Sequence, residues 1–449
     1  MTPMKKILRS ALGATLAAAG INAAQAALPI EHWTLASGAR IYLVSTQALP
    51  IVDVQIDFDA GSRRDPAAQA GLASVSATMV EKGVRAGKNG EPALDENALG
   101  EAWADLGAEF NASAGTDRAS YSLRTLSDPA LLAKVVALAS REIGEPAFPD
   151  DIWQRERERI GAAIKEANTK PATVASRAFG QAVYGNHPYG QEATEATLAR
   201  IDTAAMRALY AQLIVPCRAK LSIVGNVTRP QAESIAMTLL SRLPAQPAGC
   251  AALPPVAEIA ALTAPKEERI PFDSAQAHVF IGEPGYRRSD PDHFALTLGN
   301  YVLGGGGFVS RLTDQVREKR GLTYSIYSGF SPGLHAGAFR IGFQTRPDQA
   351  AEAVKVSREV LAKFVAEGPT EVELKAAKDN LIGGFPLLLD SNRKLLGNVA
   401  NIAWYGLPLD YLDTWTARMN AVTAADVKAA FARKLQPERM VTVIVGGAQ

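Results

Sequence analysis

The sequence predicts an α+β fold made of two homologous αβ domains, each a mixed sheet covered by helices. Two observations lead to this prediction. One stretch of the chain recurs at a constant offset, and strand and helix patterns are mixed without strict βαβ alternation. The chain has 449 residues, which is more than one hydrophobic core usually organises. Two domains from an internal duplication are therefore expected.

The repeat is visible in two segments. Residues 202–226 have the sequence DTAAMRALYAQLIVPCRAKLSIVGN, and residues 423–447 have the sequence TAADVKAAFARKLQPERMVTVIVGG. At an offset of 221, identical positions in the first copy include Ala208, Ala211, Pro216, Arg218, Ile223, Val224 and Gly225. Each copy begins with a helix N-cap candidate, Asp202 or Thr423. The pattern then predicts a helix that stops near a proline, followed by a β-branched strand.

The remaining elements follow from hydrophobic periodicity. In the first copy we predict strands at 38–45, 52–58 and 111–125, and helices at 70–82, 95–106, 128–144, 149–167, 172–183 and 203–214. In the second copy we predict strands at 276–282, 322–330 and 337–345, and helices at 290–303, 348–366, 370–390, 392–404 and 423–434. Pro386 is expected to end or kink its helix, because proline lacks the N–H that the helix ladder needs.

The N-terminus is typical of a secretory signal peptide. Lys5, Lys6 and Arg9 precede an alanine-rich apolar run, and Ala24-Gln25-Ala26 is a small-x-small cleavage pattern. The predicted organisation is a signal peptide at 1–26, a first domain at 27–243, a linker at 244–266 and a second domain at 267–449. The linker is rich in alanine and proline, which favours an extended segment. We expect export, to a periplasm.

Charge and cysteine content narrow the possible functions. Removing three basic residues with the signal peptide leaves 47 − 3 = 44 Lys and Arg against 46 Asp and Glu, a net charge of −2. This nearly neutral chain lacks the basic surface of a nucleic-acid binder and the polybasic patch of a membrane-surface protein. The apolar run near the N-terminus is too short for stable membrane insertion. Cys217 and Cys250 are equally compatible with a disulfide and with two free thiols.

The segment from Gly61 to Gly83 carries the first functional signal. It resembles the zinc helix of the pitrilysin/insulysin metallopeptidases, the inverzincins, in which H-x-x-E-H follows Gly-Leu-Ala. In this chain Ser74 and Thr78 stand at the two histidine positions, and Ala77 stands at the glutamate position. Hydroxyl and methyl groups supply neither the imidazole ligands of zinc nor the general base. The sequence therefore predicts a degenerate zinc site.

The third zinc ligand of that family is a glutamate on a later helix. The motif around Glu156 and Arg157 fits the family frame and places Ala163 at the ligand position. Glu166 lies three residues further on and is more typical of a solvated helix residue than of a shifted ligand. We therefore expect no metal in this chain.

The second copy retains a motif that the resemblance associates with substrate. Residues 316–325, VREKRGLTYS, are similar to the family's L-R-E-K-x-G-L-x-Y segment, which implies that Arg317 and Tyr324 bind substrate backbone and polarise its carbonyl. Arg320 is the competing arginine, and the seven-residue spacing to Tyr324 favours Arg317. The glycine run Gly304, Gly305, Gly306 and Gly307 either borders the substrate chamber or ends a helix. Asn111 matches the family's edge strand, which can pair with an extended peptide.

Three functional hypotheses follow from the resemblance, which also implies that the two domains form one half of a clamshell-like molecule. In the first, this chain is a non-catalytic, substrate-binding subunit of a heteromeric zinc peptidase, a heterodimer in which the partner subunit carries H-x-x-E-H and the zinc. In the second, it is a stand-alone peptide-binding or structural assembly protein. In the third, it is a metal-independent or relocated-zinc enzyme that uses Ser74 or Ser76.

Overall fold

The computed structural model describes residues 29–87, 90–244 and 250–447. The predicted signal peptide lies outside these residues. The strands of the first half are β1 (Glu31–Thr34), β2 (Arg40–Ser45), β3 (Ile51–Phe58), β4 (Gly83–Val84), β5 (Leu94–Asp95), β6 (Glu109–Ala114), β7 (Ala119–Leu126) and β8 (Lys220–Gly225). Its helices are α1 (Leu72–Val80), α2 (Glu96–Leu106), α3 (Pro129–Gly144), α4 (Asp150–Asn168), α5 (Pro171–Tyr184), α6 (Glu195–Leu198), α7 (Thr203–Leu213) and α8 (Arg229–Leu240).

The second half also combines strands with helices. Its strands are β9 (Lys266–Ile270), β10 (Ala277–Tyr286), β11 (Ile326–Phe330), β12 (Gly337–Thr345) and β13 (Val441–Val445). Its helices are α9 (His293–Asn300), α10 (Ala350–Glu367), α11 (Glu371–Gly384), α12 (Asn392–Tyr405), α13 (Tyr411–Ala421) and α14 (Ala424–Lys434). None of the helices in the described ranges is long and apolar enough to cross a membrane.

The sheet topology confirms the predicted α+β fold with two related αβ domains. The first sheet has the order β1-β2-β8-β3-β7-β6, and the second has the order β11-β12-β10-β13-β9. When β1 is left out, the two sheets have the same order of equivalent strands. In that order, β2, β8, β3, β7 and β6 of the first sheet correspond to β9, β13, β10, β12 and β11 of the second. The pairing directions also match, because β2–β8 and β13–β9 are the parallel pairs and the other pairs are antiparallel. Each sheet is covered by helices and buries its own apolar core.

The two halves exchange one helix each. α5 of the first half packs on β10 and β13, and α12 of the second half packs on β8 and β3. The bounds of α5 and α12 differ by 221 residues, which is the offset of the sequence repeat. Phe179 and Val183 join the apolar cluster of the second sheet, whereas Leu395 and Val399 join Val44 on the first. Each sheet therefore depends on a helix from the other half.

Polar contacts reinforce this exchange. Lys220 on β8 donates from Nζ to the carbonyl oxygens of Ala403 and Trp404, at 2.9 and 2.8 Å, at the C-terminal end of α12. Arg118 donates to the side-chain oxygen of Asn401 at 2.9 Å. A cation is favourable at a helix C-terminus, where unpaired carbonyl groups accumulate. The halves are thus joined by both apolar packing and helix capping.

Four sequence-based predictions of local structure need correction. The segment 111–125 is a hairpin and not one strand, because the turn at 115–118 reverses the chain between β6 and β7, and the Gly115 N–H donates to the Arg118 carbonyl across that turn. The helix predicted at 370–390 ends at Gly384, just before Pro386. The strand predicted at 322–330 begins only at Ile326, so Tyr324 lies in a loop. The prediction also omitted α8 and α13, whose apolar periodicity is weak.

The segment 250–265 has no helix or strand and follows the surface in an extended path. The carbonyl of Pro254 accepts from Arg64, and that of Ala257 lies 2.9 Å from His187 Nε2. Glu258 contacts the His335 ring nitrogen at 2.7 Å. These contacts tie the linker to both halves.

Cys217 and Cys250 form a disulfide, with their Cα atoms 5.8 Å apart, which decides between the two alternatives left by the sequence. The bridge connects the turn before β8 to the start of the described linker. Its loop spans a sequence separation of 33 residues.

We predict that replacing both cysteines by serine lowers the free energy of unfolding by about 3 to 4 kcal/mol, because a cross-link of this loop length restricts the unfolded chain. Denaturant unfolding of the oxidised wild type and of the double variant measures the difference. Reductant should lower the wild-type midpoint and leave the variant unchanged. Equal midpoints for the two oxidised proteins would contradict the prediction.

Candidate functional site

The backbone frame of the degenerate zinc helix is well formed. Asp65 accepts hydrogen bonds from the N–H groups of Gly71 and Ala73, both at 2.9 Å, at the start of α1. Burial raises the pKa of the Asp65 carboxyl to about 6, against these stabilising hydrogen bonds. α1 then packs against β6 and α7. The helix is therefore held in place although its predicted ligand positions have changed.

The three positions on α1 offer no metal ligands. Ser74 is exposed, Ala77 is 4 % exposed, and the hydroxyl of Thr78 donates to the Ser74 carbonyl at 3.2 Å. Zinc sites in proteins use imidazole, thiolate or carboxylate groups, and none stands at these positions. Ser76, the alternative nucleophile, is buried and its hydroxyl has no hydrogen-bond partner. The donor set does not fit zinc.

The later helix supplies no substitute. Ala163 on α4 is exposed and carries only a methyl group. Glu166 is exposed and accepts from Lys170 Nζ at 2.8 Å, as expected for a solvated helix residue. Within residues 29–87, 90–244 and 250–447, no group of three or more His, Cys, Asp or Glu is arranged to hold a metal ion.

Arg317 and Tyr324 lie on one open cavity in the second half. This cavity has a volume of about 470 Å³, and Gln276, Glu318, Gln344 and Arg346 also line it. The Arg317 guanidinium lies 4.6 Å from the centre of the Phe308 ring, a cation–π contact that orients it. Tyr324 is 86 % exposed, so its phenol is free to meet a ligand.

Arg320 faces elsewhere. It donates to the Gln315 carbonyl at 2.7 Å and lines a different cavity, next to Lys363 and Glu373. The structure therefore places Arg317, and not Arg320, beside Tyr324, in agreement with the spacing argument. The role of both residues in substrate binding stays a prediction.

The glycine run divides into two parts. Gly304 is buried against β11, where a Cβ atom would lie 2.4 Å from Ser328 Oγ and 2.5 Å from Ser328 N. Gly305 and Gly307 are exposed, and Gly307 has a positive φ of 61°. Gly306 closes a widened turn by donating to Tyr301 O at 2.8 Å. Gly304 is thus required for packing, whereas the exposed glycines lie at the surface beside Phe308.

We predict that Gly304→Ala lowers the free energy of unfolding by about 1 to 3 kcal/mol, because the added methyl group overlaps backbone and side-chain atoms of β11. Thermal or denaturant unfolding measures the loss. Gly329→Ala, on β11 itself, is the matched control, since no neighbouring atom lies within 4 Å of the position that its Cβ atom would take. Equal losses in the two variants would contradict the assignment of Gly304 as a packing residue.

Asn111 lies on β6, the edge strand of the first sheet. A groove of about 660 Å³ runs along this edge, between Leu99 and Trp103 on α2 and Leu396 on α12. The edge is not fully open, because the Ala112 N–H donates to Glu81 Oε1 at 2.7 Å. Glu81 itself also lines the groove.

Most charges in this groove are paired or buried. Asp53 accepts from Arg124 at 2.9 Å, and Glu109 forms an ion pair with Arg393 of the second half. Glu142 is only 1 % exposed and accepts from Trp103 Nε1 at 2.6 Å. Burial and, to a smaller extent, the nearby Glu81 charge raise the pKa of Glu142 to about 8, although the hydrogen bond from Trp103 acts to lower it.

Glu81 and Glu142 were not among the site residues predicted from the sequence. A signal for Glu142 was present, because helical spacing places it on the same face as Val135 and Ala139, which are fully buried. An acid at a core position of this kind points to a perturbed pKa. Glu81 left no such signal, since its partner is an amide more than thirty residues away in sequence.

Comparison with known proteins assigns the class. A family model described as insulinase (peptidase family M16) matches residues 40–197, and one described as peptidase M16 inactive domain matches residues 200–381. A crystal structure from Pseudomonas fluorescens, described as a peptidase M16 inactive domain, superposes with a TM-score of 0.86 and 34 % identity. The match covers 94 % of this chain and 99 % of that one. The chain therefore belongs to peptidase family M16, the pitrilysin and insulinase family.

The relatives of this chain include proteins named as zinc proteases and a protein named as a non-peptidase homolog. An uncharacterized zinc protease of Streptomyces coelicolor is 27 % identical over 423 residues, or 93 % of this chain and 89 % of that protein. A non-peptidase homolog of Helicobacter pylori is 22 % identical over 385 residues, or 84 % and 85 % of the two chains. Because the names differ in this way, the non-catalytic interpretation depends on residues 74, 77, 78 and 163 of this chain.

Proposed function

We propose that this chain is the non-catalytic, substrate-binding subunit of a heteromeric zinc metallopeptidase. Its partner would be a second pitrilysin-like subunit that carries H-x-x-E-H and holds the zinc. The supporting observation is a contrast within one molecule. On α1, Ser74 and Thr78 stand at the two zinc-ligand positions and Ala77 stands at the general-base position, whereas Arg317 and Tyr324 line one open cavity.

In this proposal Arg317 and Tyr324 act on the substrate and not on the metal. The guanidinium and the phenol donate hydrogen bonds to the substrate backbone, which holds the peptide and stabilises negative charge that develops on its carbonyl oxygen. The chain acts after export, in the periplasm, with its signal peptide removed. Its substrates are peptides or unfolded polypeptides that fit an enclosed chamber.

The test is to purify the tagged mature chain from its native periplasm and identify bound proteins by quantitative mass spectrometry. The proposal expects an equimolar partner that contains H-x-x-E-H. It also expects peptide hydrolysis by the mixture, sensitive to a zinc chelator, and none by this chain alone. Recovery of the chain without such a partner would contradict the proposal.

A second candidate function is a stand-alone peptide-binding or structural assembly protein. The groove along β6 favours it, because an exposed sheet edge is a site at which an extended peptide can add a strand. This candidate expects the isolated chain to bind peptides without cleaving them. An equimolar zinc-bearing partner would count against it.

A further inference from the structure

The segment 250–262, which joins the two halves, has a threefold repeat in its exposure. Every third residue is half-buried, and the residues between them are exposed. The half-buried residues are Cys250, Leu253, Val256, Ile259 and Leu262. A period of three is typical of a polyproline II helix, which has three residues per turn. We call this segment the strap, and one of its three faces lies against the rest of the protein.

The half-buried side chains of the strap contact both sheets. Leu253 packs against the core of the first half, and Leu262 packs against the cluster that α5 forms with the second sheet. Val256 and Leu262 line one cavity together with the C-terminal end of α5. The disulfide between Cys250 and Cys217 fixes the beginning of the strap. Successive turns of the strap are therefore held by their inward side chains.

The backbone of the strap is contacted at the same interval. Three carbonyl oxygens, each three residues from the next, accept hydrogen bonds from side chains of the first half. The pairs are Ala251 with Arg218 Nη2 at 2.8 Å, Pro254 with Arg64 Nη1 at 2.5 Å, and Ala257 with His187 Nε2 at 2.9 Å. A polyproline II helix makes no internal hydrogen bonds, so its carbonyl groups are free to accept from such donors.

Two of these donors are oriented by other contacts within the first half. Asp59 accepts from Arg64 Nε and Nη2 at 3.0 and 2.7 Å, which leaves Nη1 for the strap. His187 Nδ1 accepts from the Tyr189 N–H at 3.1 Å, so the proton of the neutral ring is on Nε2, which faces the strap. Donors that are already oriented lower the entropic cost of binding.

The second half contacts the strap at Glu258. The Glu258 carboxylate lies 2.7 Å from His335 Nδ1 and 3.7 Å from Arg287 Nη1. The His335 N–H in turn donates to the Tyr189 hydroxyl at 3.1 Å, so the two halves meet beneath this part of the strap. The surface that receives the strap is therefore built from both halves.

We propose that this surface is a binding site for polyproline II segments with an apolar residue at every third position, and that the strap is its built-in ligand. Such segments are favourable ligands because the helix is formed before binding and loses little entropy. The ligand class is an extended, proline- and alanine-rich peptide of the pattern apolar-x-x-apolar. The inference goes beyond the proposed function, because it concerns this chain alone and requires neither a zinc-bearing partner nor peptide hydrolysis.

The first experiment measures how fast subtilisin cleaves the strap in the oxidised mature chain, with the cleavage sites located by mass spectrometry. Arg218→Ala leaves the sequence of the strap unchanged. It should be cleaved about tenfold faster than wild type, because loss of one hydrogen bond from a charged donor raises the population of the open strap. Arg157→Ala is the matched control, since Arg157 bonds Gln154 on its own helix. Equal cleavage rates in the two variants would overturn the proposal.

The second experiment tests whether the site binds the same sequence as a separate peptide. A fluorescein-labelled peptide of residues 250–264 carrying Cys250→Ser is added to the full mature chain, and binding is measured by fluorescence anisotropy. In the receiving chain, serine replaces the four inward apolar residues, Leu253, Val256, Ile259 and Leu262. The peptide should bind this variant at least about tenfold more tightly than it binds wild type, whose own strap occupies the site at high effective concentration.

A peptide of identical composition tests the spacing. It exchanges Pro255 with Val256 and Ala261 with Leu262, so that the apolar residues no longer recur at every third position. It should bind about tenfold more weakly than the first peptide, the cost of losing about one apolar side-chain contact. Equal affinity of the two peptides, or no binding of the first peptide to the folded variant, would overturn the proposal.

Thermal unfolding followed by circular dichroism establishes that the four-serine variant is folded. If it does not fold, the comparison of Arg218→Ala with Arg157→Ala decides the matter, since neither variant changes the strap. No zinc-bearing partner takes part in either experiment, so these outcomes are distinct from failure of the proposed function.

Discussion

Arg317→Ala should lower kcat/KM of the proposed two-chain peptidase by about a hundredfold to a thousandfold, the usual cost of removing one donor that stabilises a developing oxyanion. The reason lies in the cavity that Arg317 shares with Tyr324. The guanidinium lies there over the Phe308 ring, 3.5 Å from the Glu318 carboxylate, and it presents a planar set of donors that lysine cannot reproduce. Steady-state hydrolysis of a fluorogenic peptide by the reconstituted complex measures the effect.

Tyr324→Phe tests the same site without altering the packing. Because Tyr324 is 86 % exposed, loss of its hydroxyl should leave stability and complex formation unchanged and reduce only turnover. Arg320→Ala is the matched control, since Arg320 lies three residues after Arg317 in the sequence but lines a different cavity. Its activity should stay within about twofold of wild type, as for most surface substitutions. Wild-type activity in both Arg317→Ala and Tyr324→Phe would refute the assigned roles.

Glu142→Gln should stabilise the first half at alkaline pH by about 3 to 5 kcal/mol, from a pKa difference of more than three units. The folded-state pKa of Glu142 is about 8 because of burial, whereas its usual value is 4.5. Folding therefore favours the protonated form. The favourable contribution of the protonated Glu142 carboxyl to the free energy of unfolding is complete below pH 4.5. It is lost as the pH rises to about 8, where the buried carboxyl must ionise.

Glutamine retains an oxygen that accepts from Trp103 and cannot ionise. The variant and the wild type should therefore have similar stability near pH 4.5, and the difference should grow as pH rises to 8.5. Denaturant unfolding across this range provides the measurement. Glu101→Gln, at an exposed site on the neighbouring helix, should follow the wild-type profile. A constant difference between Glu142→Gln and wild type at every pH would refute the buried-acid interpretation.

Much of the fold was predictable from local patterns. The repeat offset of 221 predicted two related domains, and their sheets have matching strand orders. The same offset separates the bounds of α5 from those of α12. Hydrophobic periodicity placed most helices within a few residues of their observed bounds. It failed at the Asn111–Thr125 hairpin, where a four-residue turn interrupts a continuous strand pattern, and at α13, whose apolar residues are sparse.

The degenerate zinc helix was also determined by the sequence, because metal binding requires particular side chains and Ser74, Ala77 and Thr78 are not among them. Only the tertiary structure decided which groups meet. It paired Cys217 with Cys250, exchanged α5 and α12 between the halves, and set Glu81 against the Ala112 amide. Residue chemistry and periodicity are local properties of the chain, whereas these contacts join residues far apart in sequence and arise only when the sheets and helices pack.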